Sequence, residues 1–201
     1  MNKVATIQFV FILLRFVLQE PNVILSFQQW NILNGIFSIP CLFIIYDFFY
    51  TILHWALHIQ AIYGYIHKHH HHQKAPSRAN VDAVNVHPIE FFLGEYNHLL
   101  AVYLYTHVFQ QKMHMIALPI FLTLGAFMAG WNHTRYDVQI SLRSFTKSNH
   151  SLMKWTTLFD SKYHDVHHRI PQCNYGQYIM LWDHIFGTFR YVYSFQNRIE
   201  N

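Results

Sequence analysis

Long apolar stretches, separated by histidine-rich polar segments, constrain the fold of this chain more than any other feature. The clearest is Asn31–Tyr46, which contains no charged residue and ends at Asp47. A helix needs about 20 predominantly apolar residues to cross a bilayer, and this stretch reaches that length when the residues from Val23 onward are included. Pro40 lies within it and predicts a kink, because proline has no N–H for the helical hydrogen-bond ladder. We therefore expect a membrane-spanning helix here.

A second apolar stretch precedes it. Val4–Leu18 carries a charge only at Arg15, and its length is compatible with either a short spanning helix or one that lies on the membrane surface. No small-residue cleavage site follows, since Glu20 and Pro21 come next, so the stretch is not interpreted as a cleaved signal peptide.

Two further apolar stretches lie close together in the middle of the chain. They are Leu99–Phe109 and Met115–Trp131, and only Gln110–His114 separates them. A connection this short joins antiparallel neighbours. The pair therefore predicts a helical hairpin at about 91–131 that crosses the membrane and returns.

The distribution of positive charge predicts the topology. Of the 14 Lys and Arg residues, 11 lie within His54–His98 or after Asn132. Lys and Arg concentrate on the cytoplasmic side of membrane proteins, and a hairpin between the two polar regions returns both to one face. We expect an all-α integral membrane protein with three to four spanning helices and one cytosolic, histidine-rich helical cap.

The histidines of this cap are arranged in groups. The chain has 17 histidines, more than its Lys and Arg combined, and imidazole is the commonest metal-ligating side chain. Residues three and four apart share one face of a helix, so two such histidines can bind one metal ion while a third reaches a second ion. Three groups have this spacing and predict a dinuclear metal site: His54 and His58; His67, His70 and His71; His164, His167 and His168.

Several other classes of protein are excluded. Aromatic residues make up 18% of the chain and charged residues 12%, which excludes a disordered chain. Cys41 and Cys173 are the only cysteines, so neither a disulfide framework nor a cysteine zinc finger is possible. The basic residues are scattered rather than clustered, which argues against nucleic-acid binding. No Gly-x-Ser-x-Gly or phosphate-binding glycine loop is present.

The histidine groups stand in longer motifs that resemble the sterol desaturase and fatty acid hydroxylase superfamily from about Asp47 to Arg190. The run from Asn174-Tyr175-Gly176 through Leu181-Trp182-Asp183 is closest to sterol C5-desaturases, whereas the ending Phe186-Gly187-Thr188-Phe189-Arg190 is closer to the general hydroxylase type. One departure is Trp55, where the family usually has Arg. The matching motifs are His54-Trp-Ala-Leu-His58, Tyr63-Gly-Tyr-Ile-His67-Lys-His-His70-His71, His87-Pro88-Ile-Glu90, Tyr163-His164-Asp-Val-His167-His168 and Trp182-Asp183-His-Ile-Phe186-Gly187-Thr188.

The resemblance also concerns the ninth ligand and the division of the chain. His133-Thr-Arg-Tyr136-Asp137 resembles the family's intermediate motif, but the long interval before His164 leaves His133 and His150 as competing ligands. We favour His133, because it directly follows the hairpin, whereas His150 stands in a polar, loop-like stretch. We expect membrane segments at 1–46, a hydroxylase-like catalytic domain at 47–190 and a tail at 191–201.

The resemblance implies an O2-dependent oxidoreductase with two iron ions. A nitrogen-rich site by itself suits iron, zinc, copper or nickel, and it is the resemblance that selects iron. The implied substrate is a membrane lipid, a sterol in the first place and a fatty acid or sphingolipid as the alternative. A separate donor such as cytochrome b5 or a ferredoxin with its reductase would supply electrons, and a eukaryotic chain would reside in the endoplasmic reticulum with its metal site facing the cytosol.

A metal-binding membrane protein without enzymatic activity is a more distant alternative. Such a protein would place its histidines within the spans, and here only His107 lies well within one. Side chains that support the ligands are also expected, because a ligating histidine usually donates its other N–H to a carboxylate or carbonyl. The candidates are Asp47, Asp165, Asn174 and Asp183; Glu90 is left open between this role and a purely structural one.

Overall fold

The computed structural model describes residues 2–72, 77–141 and 157–191, and helices dominate these ranges. This confirms the mostly helical prediction. The helices are α1 (Asn2–Gln19), α2 (Ser38–Leu57), α3 (Gln60–Tyr63), α4 (Asn80–Ala83), α5 (Pro88–Tyr103), α6 (Ala117–Trp131), α7 (Ser161–Arg169) and α8 (Leu181–Phe186).

Two short strand pairs correct the all-α expectation. β1 (Val23–Ile24) pairs in parallel with β2 (Met113–His114), and β3 (Gln139–Ser141) pairs antiparallel with β4 (Thr157–Asp160). Strands of two to four residues have no periodicity of their own to detect. They form because the helices bring these backbone segments together, so the sequence did not reveal them.

Helix α2 is the one helix in the described ranges that is long and apolar enough to cross a membrane. With a π-helical turn at Leu33–Phe37 it forms a continuous segment, Leu33–Leu57, of 25 residues. The irregular turn lies just before Pro40, whose ring and missing N–H disturb the hydrogen bonding of the preceding turn. Val4–Gln19 and α6 are apolar but shorter, so the number of crossings, predicted as three to four, stays a prediction.

The two helices expected for the hairpin are present as α5 and α6. Helix α5 begins at Pro88, a residue favoured at the first helical position, and the His87 ring caps it by accepting the Ile89 N–H at 3.2 Å. A π-helical turn, Leu104–Val108, extends α5 to the connection. Helix α6 then returns the chain to the end of the bundle where α5 starts.

Side-chain contacts fix how the helices pack. Helix α1 runs parallel to α5, since the Thr6 hydroxyl contacts Glu95 at 3.1 Å near one end and Glu20 contacts His107 at 3.1 Å near the other. In the core between α2 and α6, the Phe43 and Phe121 rings pack edge to face at 4.7 Å. The end of α2, the start of α5 and the end of α6 consequently lie together, and the histidines are gathered there.

Candidate metal centre

Within the described ranges, nine histidines converge at this end of the bundle and form two sets. Within each set the potential ligand nitrogens all lie within 4.8 Å of one another. These nine are the residues predicted as ligands from the sequence. The five-histidine set is His54, His58, His67, His71 and His167, and the four-histidine set is His70, His133, His164 and His168.

The spacing of the histidines decides which set each one joins. His67 and His71 are four residues apart and point into the five-histidine set, whereas His70 between them points into the four-histidine set. On helix α7 the assignment is reversed: His164 and His168 join the four-histidine set, and His167 joins the five-histidine set. The segment around His67 is a series of tight turns rather than a regular α-helix, and the His70 N–H donates to the His67 carbonyl at 3.0 Å.

The Nε2 atoms of neighbouring rings face one another at short distances. His54 Nε2 and His67 Nε2 are 3.0 Å apart, and His71 Nε2 and His167 Nε2 are 3.1 Å apart. In the four-histidine set, His133 Nε2 lies 3.3 Å from Nε2 of His70 and 3.3 Å from Nε2 of His164. Four nitrogens about 2.0–2.1 Å from a metal ion in tetrahedral geometry have this kind of spacing.

Backbone carbonyls determine which nitrogen of three rings carries the proton. His54 Nδ1 lies 2.7 Å from the Tyr175 carbonyl oxygen. His167 Nδ1 lies 2.7 Å from the Cys173 carbonyl, and His133 Nδ1 lies 2.9 Å from the Ala129 carbonyl. A carbonyl only accepts, so each Nδ1 is an N–H donor and each neutral ring presents an Nε2 lone pair to its set.

Glu90 orients a fourth ring. Its carboxylate lies 2.8 Å from His67 Nδ1, and both side chains are buried. With Nδ1–H donated to Glu90, His67 presents a lone pair toward that of His54, and two lone pairs 3.0 Å apart repel unless a cation lies between them. The donor set therefore fits a metal ion. The role of Glu90 was left open from the sequence; the available signal was its place in the third position of α5, in His87-Pro88-Ile-Glu90.

Burial keeps the histidines neutral. It lowers the pKa of His58 to about 3, with His71 nearby adding to the effect, and lowers that of His71 to about 4. Burial is also the main cause of the lowered pKa values of His70, His164 and His167, and neighbouring histidines add to it. Neutral imidazole is the form that ligates metals, so the fold presents the rings ready to bind.

Asp183 holds the loop from Tyr175 to Ile179, whose Tyr175 carbonyl accepts a hydrogen bond from His54. Its carboxylate accepts the Tyr175 N–H and the Gly176 N–H, both at 2.7 Å, and the Thr188 hydroxyl at 2.6 Å. Gly176 is required for this approach, because a Cβ there would lie 2.9 Å from Asp183 Oδ2. Asp183 thus acts on His54 through the loop rather than by touching the ring.

Asp47 holds the same loop from the side of α2. Its buried carboxylate accepts the backbone N–H groups of Gln177 at 3.3 Å, of Tyr178 at 3.1 Å, and of Ile179. A carboxylate that accepts several backbone N–H groups is firmly held in place. The two aspartates therefore fix both ends of the segment from Tyr175 to Ile179.

The other two predicted supporting side chains also bond elsewhere than to the rings. Asn174 adopts a left-handed conformation with φ of 55° and donates to the carbonyls of Tyr163 at 3.1 Å and Arg190 at 3.0 Å. Asp165 forms a surface ion pair with Arg169 at 2.8 Å. The supporting role of these four side chains stays a prediction. The Nδ1 partners seen at His54, His133 and His167 are backbone carbonyls, which have no side-chain signal in a sequence, and the partner seen at His67 is Glu90.

His133 lies where its place after the hairpin suggests. It is 2% exposed, and its carbonyl accepts the Ala79 N–H at 2.8 Å. The loop that carries Ala79 is fixed by Asp82, whose carboxylate accepts the Arg78 N–H at 2.8 Å. The competing ligand, His150, lies outside the described residues.

Two buried histidine sets that could each hold a metal ion, at the end of an apolar helical bundle, indicate a metalloprotein, and comparison with known proteins gives the family. The chain matches the fatty acid hydroxylase family over residues 39–188 and belongs to it. The resemblance to the sterol desaturase superfamily is thereby confirmed. Together with helix α2, this membership indicates that the protein associates with a membrane.

Similar curated proteins are named as sterol oxidases. The chain is 27% identical over 163 residues to the C-4 methylsterol oxidase erg25 of Schizosaccharomyces pombe. The aligned region covers 81% of the chain and 50% of that protein. It is 29% identical to the lathosterol oxidase of Rattus norvegicus (73% of the chain, 42% of the relative) and 31% identical to methylsterol monooxygenase 1 of Danio rerio (72% and 44%). The chain thus spans about half the length of these relatives or less. No solved structure matches it significantly.

Proposed function

We propose that this protein is a membrane-bound oxidoreductase that uses O2 and external electrons to desaturate or hydroxylate a sterol. The observation that carries the proposal is the convergence of nine buried imidazoles in two sets, with the tautomers of His54, His133 and His167 fixed by backbone carbonyls. Rings oriented in this way bind metal without rearrangement.

The two histidine sets would hold one metal ion each, and iron is the proposed metal. Zinc has no redox chemistry, so a zinc centre would not serve as an oxidase, whereas the similar proteins are named as oxidases and monooxygenases. Bound iron would supply the activation of O2 for attack on an unactivated C–H bond. The protein itself orients the ligands, excludes water by burying them, and sets the distance between the two sets.

The position of the site favours a substrate that enters from the bilayer. His54 lies in the last turn of α2, the helix suited to cross a membrane, so lipid in that leaflet reaches the site without leaving the apolar phase. The names of the similar proteins favour a sterol within this class. Double-bond formation and hydroxylation differ only in whether a second hydrogen is removed, and both remain within the proposal.

The charges of the chain support a topology, and the family resemblance supports a class of electron donor. The positive residues favour a cytosolic cap, with α2, α5 and α6 as the proposed crossings and the endoplasmic reticulum as the membrane in a eukaryotic cell. A separate cytochrome b5-type or ferredoxin-type donor would deliver electrons to that face. Reaction at the cytosolic end of α2 is compatible with either carrier.

Sterol analysis in a host cell tests this function. We expect the chain, expressed in a eukaryotic host that lacks its own sterol C5-desaturase or C-4 methyl oxidase, to restore a sterol product detected by mass spectrometry. His167→Ala should abolish that product, whereas His72→Ala, at an exposed ring outside both sets, should not. Unchanged sterols with newly hydroxylated fatty acids or sphingolipids would replace the sterol proposal by the lipid alternative.

A further inference from the structure

Helix α8 lies beside α2, and its contacts with α2 are well separated along the α2 axis from the histidine sets. The Trp182 indole N–H donates to the Ile44 carbonyl at 2.9 Å, and the Trp182 ring packs edge to face against Phe48 at 4.8 Å. The Phe186 ring is 6.3 Å from Phe48. These contacts lie six to ten residues before His54 on α2, which is about 9–15 Å along the axis at 1.5 Å per residue.

The outer faces of α8 and α2 form one exposed apolar surface. On α8, Ile185 is 57% and Phe186 45% exposed, and on α2 Ile44 is 40% and Ile52 42% exposed. Ile52 and Trp55, the latter 61% exposed, lie four and seven residues after Phe48 and so share the face of α2 that borders α8. A continuous apolar surface of this kind marks contact with a partner or a membrane.

Several backbone groups of the segment before α8 have hydrogen-bond partners within the protein. Asp47 accepts the N–H groups of Gln177, Tyr178 and Ile179, and the His184 N–H donates to the Met180 carbonyl at 3.0 Å. Non-helical backbone at membrane depth is tolerated only where its polar groups have such internal partners. These backbone groups therefore meet the condition for lying inside a bilayer.

We infer that α8 is inserted in the bilayer beside α2, with Ile185 and Phe186 in contact with lipid hydrocarbon. The surface of α8 is continuous with the outer face of α2, so the bilayer that surrounds α2 extends over both. This inference rests on the proposed membrane crossing of α2. It also brings lipid against the segment whose Tyr175 carbonyl orients His54.

Site-directed spin labelling measures the depth of α8 directly. The full-length protein, with Cys41→Ser and Cys173→Ala, is reconstituted in phosphatidylcholine vesicles, and a nitroxide is attached through Ile185→Cys. Collision with O2, which concentrates in hydrocarbon, is compared with collision with water-soluble chromium oxalate. Ile36→Cys, 54% exposed in the span, serves as the membrane control, and Asp165→Cys on α7 serves as the aqueous control.

The outcomes separate this inference from the proposed topology. We expect the O2-to-chromium ratio at Ile185 to equal that at Ile36 and to exceed that at Asp165 several-fold. An aqueous ratio at Ile185, with Ile36 in lipid, would overturn the insertion of α8 and leave the α2 crossing intact. An aqueous ratio at Ile36 would overturn both. Low collision with both reagents at Ile185, together with spin–spin broadening, would show a second copy of the chain on this surface and overturn the inference.

Discussion

The partner at Nδ1 determines what each histidine ring can do at Nε2. Where a backbone carbonyl accepts the Nδ1 proton, as for His54, His133 and His167, the ring is held in one tautomer and one orientation. A metal ion then binds without an entropic cost for ordering the ring. His67 differs, because its partner is the side chain of Glu90, and substitution can remove this contact cleanly.

Glu90→Ala should weaken metal binding about 10- to 100-fold, the usual effect of removing a partner of a ligating histidine. Glu90→Gln should have a smaller effect, because its amide oxygen still accepts the His67 N–H. Titration of the metal-free protein with Fe(II) measures both changes. Glu95→Gln, a change on the same helix at a carboxylate bonded to Thr6, is the matched control and should bind as the wild type does. Equal affinity of the wild type and Glu90→Ala for Fe(II) would show that Glu90 does not contribute to metal binding.

Gly176→Ala tests the close approach of the loop to Asp183. The added Cβ would lie 2.9 Å from Asp183 Oδ2 and 3.0 Å from the Ile179 carbonyl oxygen, so the loop has to shift, at a cost of about 1–3 kcal/mol. Gly94→Ala, where a Cβ meets nothing within 4 Å, should be neutral or should stabilise α5 by up to about 1 kcal/mol. Unfolding in detergent compares the two, and equal stabilities would contradict the described loop packing.

At the scale of elements, one loop connects two parts of the chain that are far apart in sequence. The segment from Tyr175 to Ile179 is bonded to Asp47 of α2 on one side and to Asp183 of α8 on the other. Each carboxylate satisfies at least two backbone N–H groups that are otherwise buried without partners. The orientation of the His54 ring therefore depends, through this loop, on the positions of both helices.

Asp183→Asn should destabilise the protein, because the amide places an N–H₂ group where one oxygen now accepts a backbone N–H. A buried donor left without an acceptor costs about 1–3 kcal/mol. Asp165→Asn removes only an exposed ion pair with Arg169 and should change stability by less than about 1 kcal/mol. Thermal unfolding of both variants measures the difference. If the two were equally stable, Asp183 would not hold the loop.

The sequence predicted this site well where the signal lay in side-chain spacing. The i, i+3 and i+4 histidines specify two sets, and the i+3 residues His70 and His167 each join the set opposite to their neighbours. Backbone carbonyls at Tyr175, Cys173 and Ala129 carry no signal in residue type, so the actual Nδ1 partners could not be foreseen. The strand pair β1–β2 was missed for the same reason, since only tertiary packing brings Val23 to Met113.

At the scale of the whole molecule, burial of so many imidazoles makes the fold sensitive to acid. The folded pKa values of His58 and His71 lie at about 3 and about 4, below the unfolded value of about 6.5. Above pH 6.5 both states are neutral and stability does not depend on these rings. As the pH falls below 6.5 the unfolded chain takes up protons that the folded protein does not, so the free energy of unfolding decreases.

We therefore expect the melting temperature of the metal-free protein to fall steadily from pH 7 to pH 4. Bound metal should oppose the fall down to the pH at which protons displace it. A melting temperature that is constant between pH 7 and pH 4 would contradict the burial of neutral rings.

Metal stoichiometry tests the central claim most directly. We predict two iron ions per chain in the purified protein, measured by elemental analysis, and Mössbauer spectra that change when either set is altered. His167→Ala in the five-histidine set and His164→Ala in the four-histidine set should each lower the content toward one ion, while His72→Ala should keep two. One ion per chain in the wild type, or the same loss in His72→Ala as in His164→Ala, would contradict the two-set metal centre.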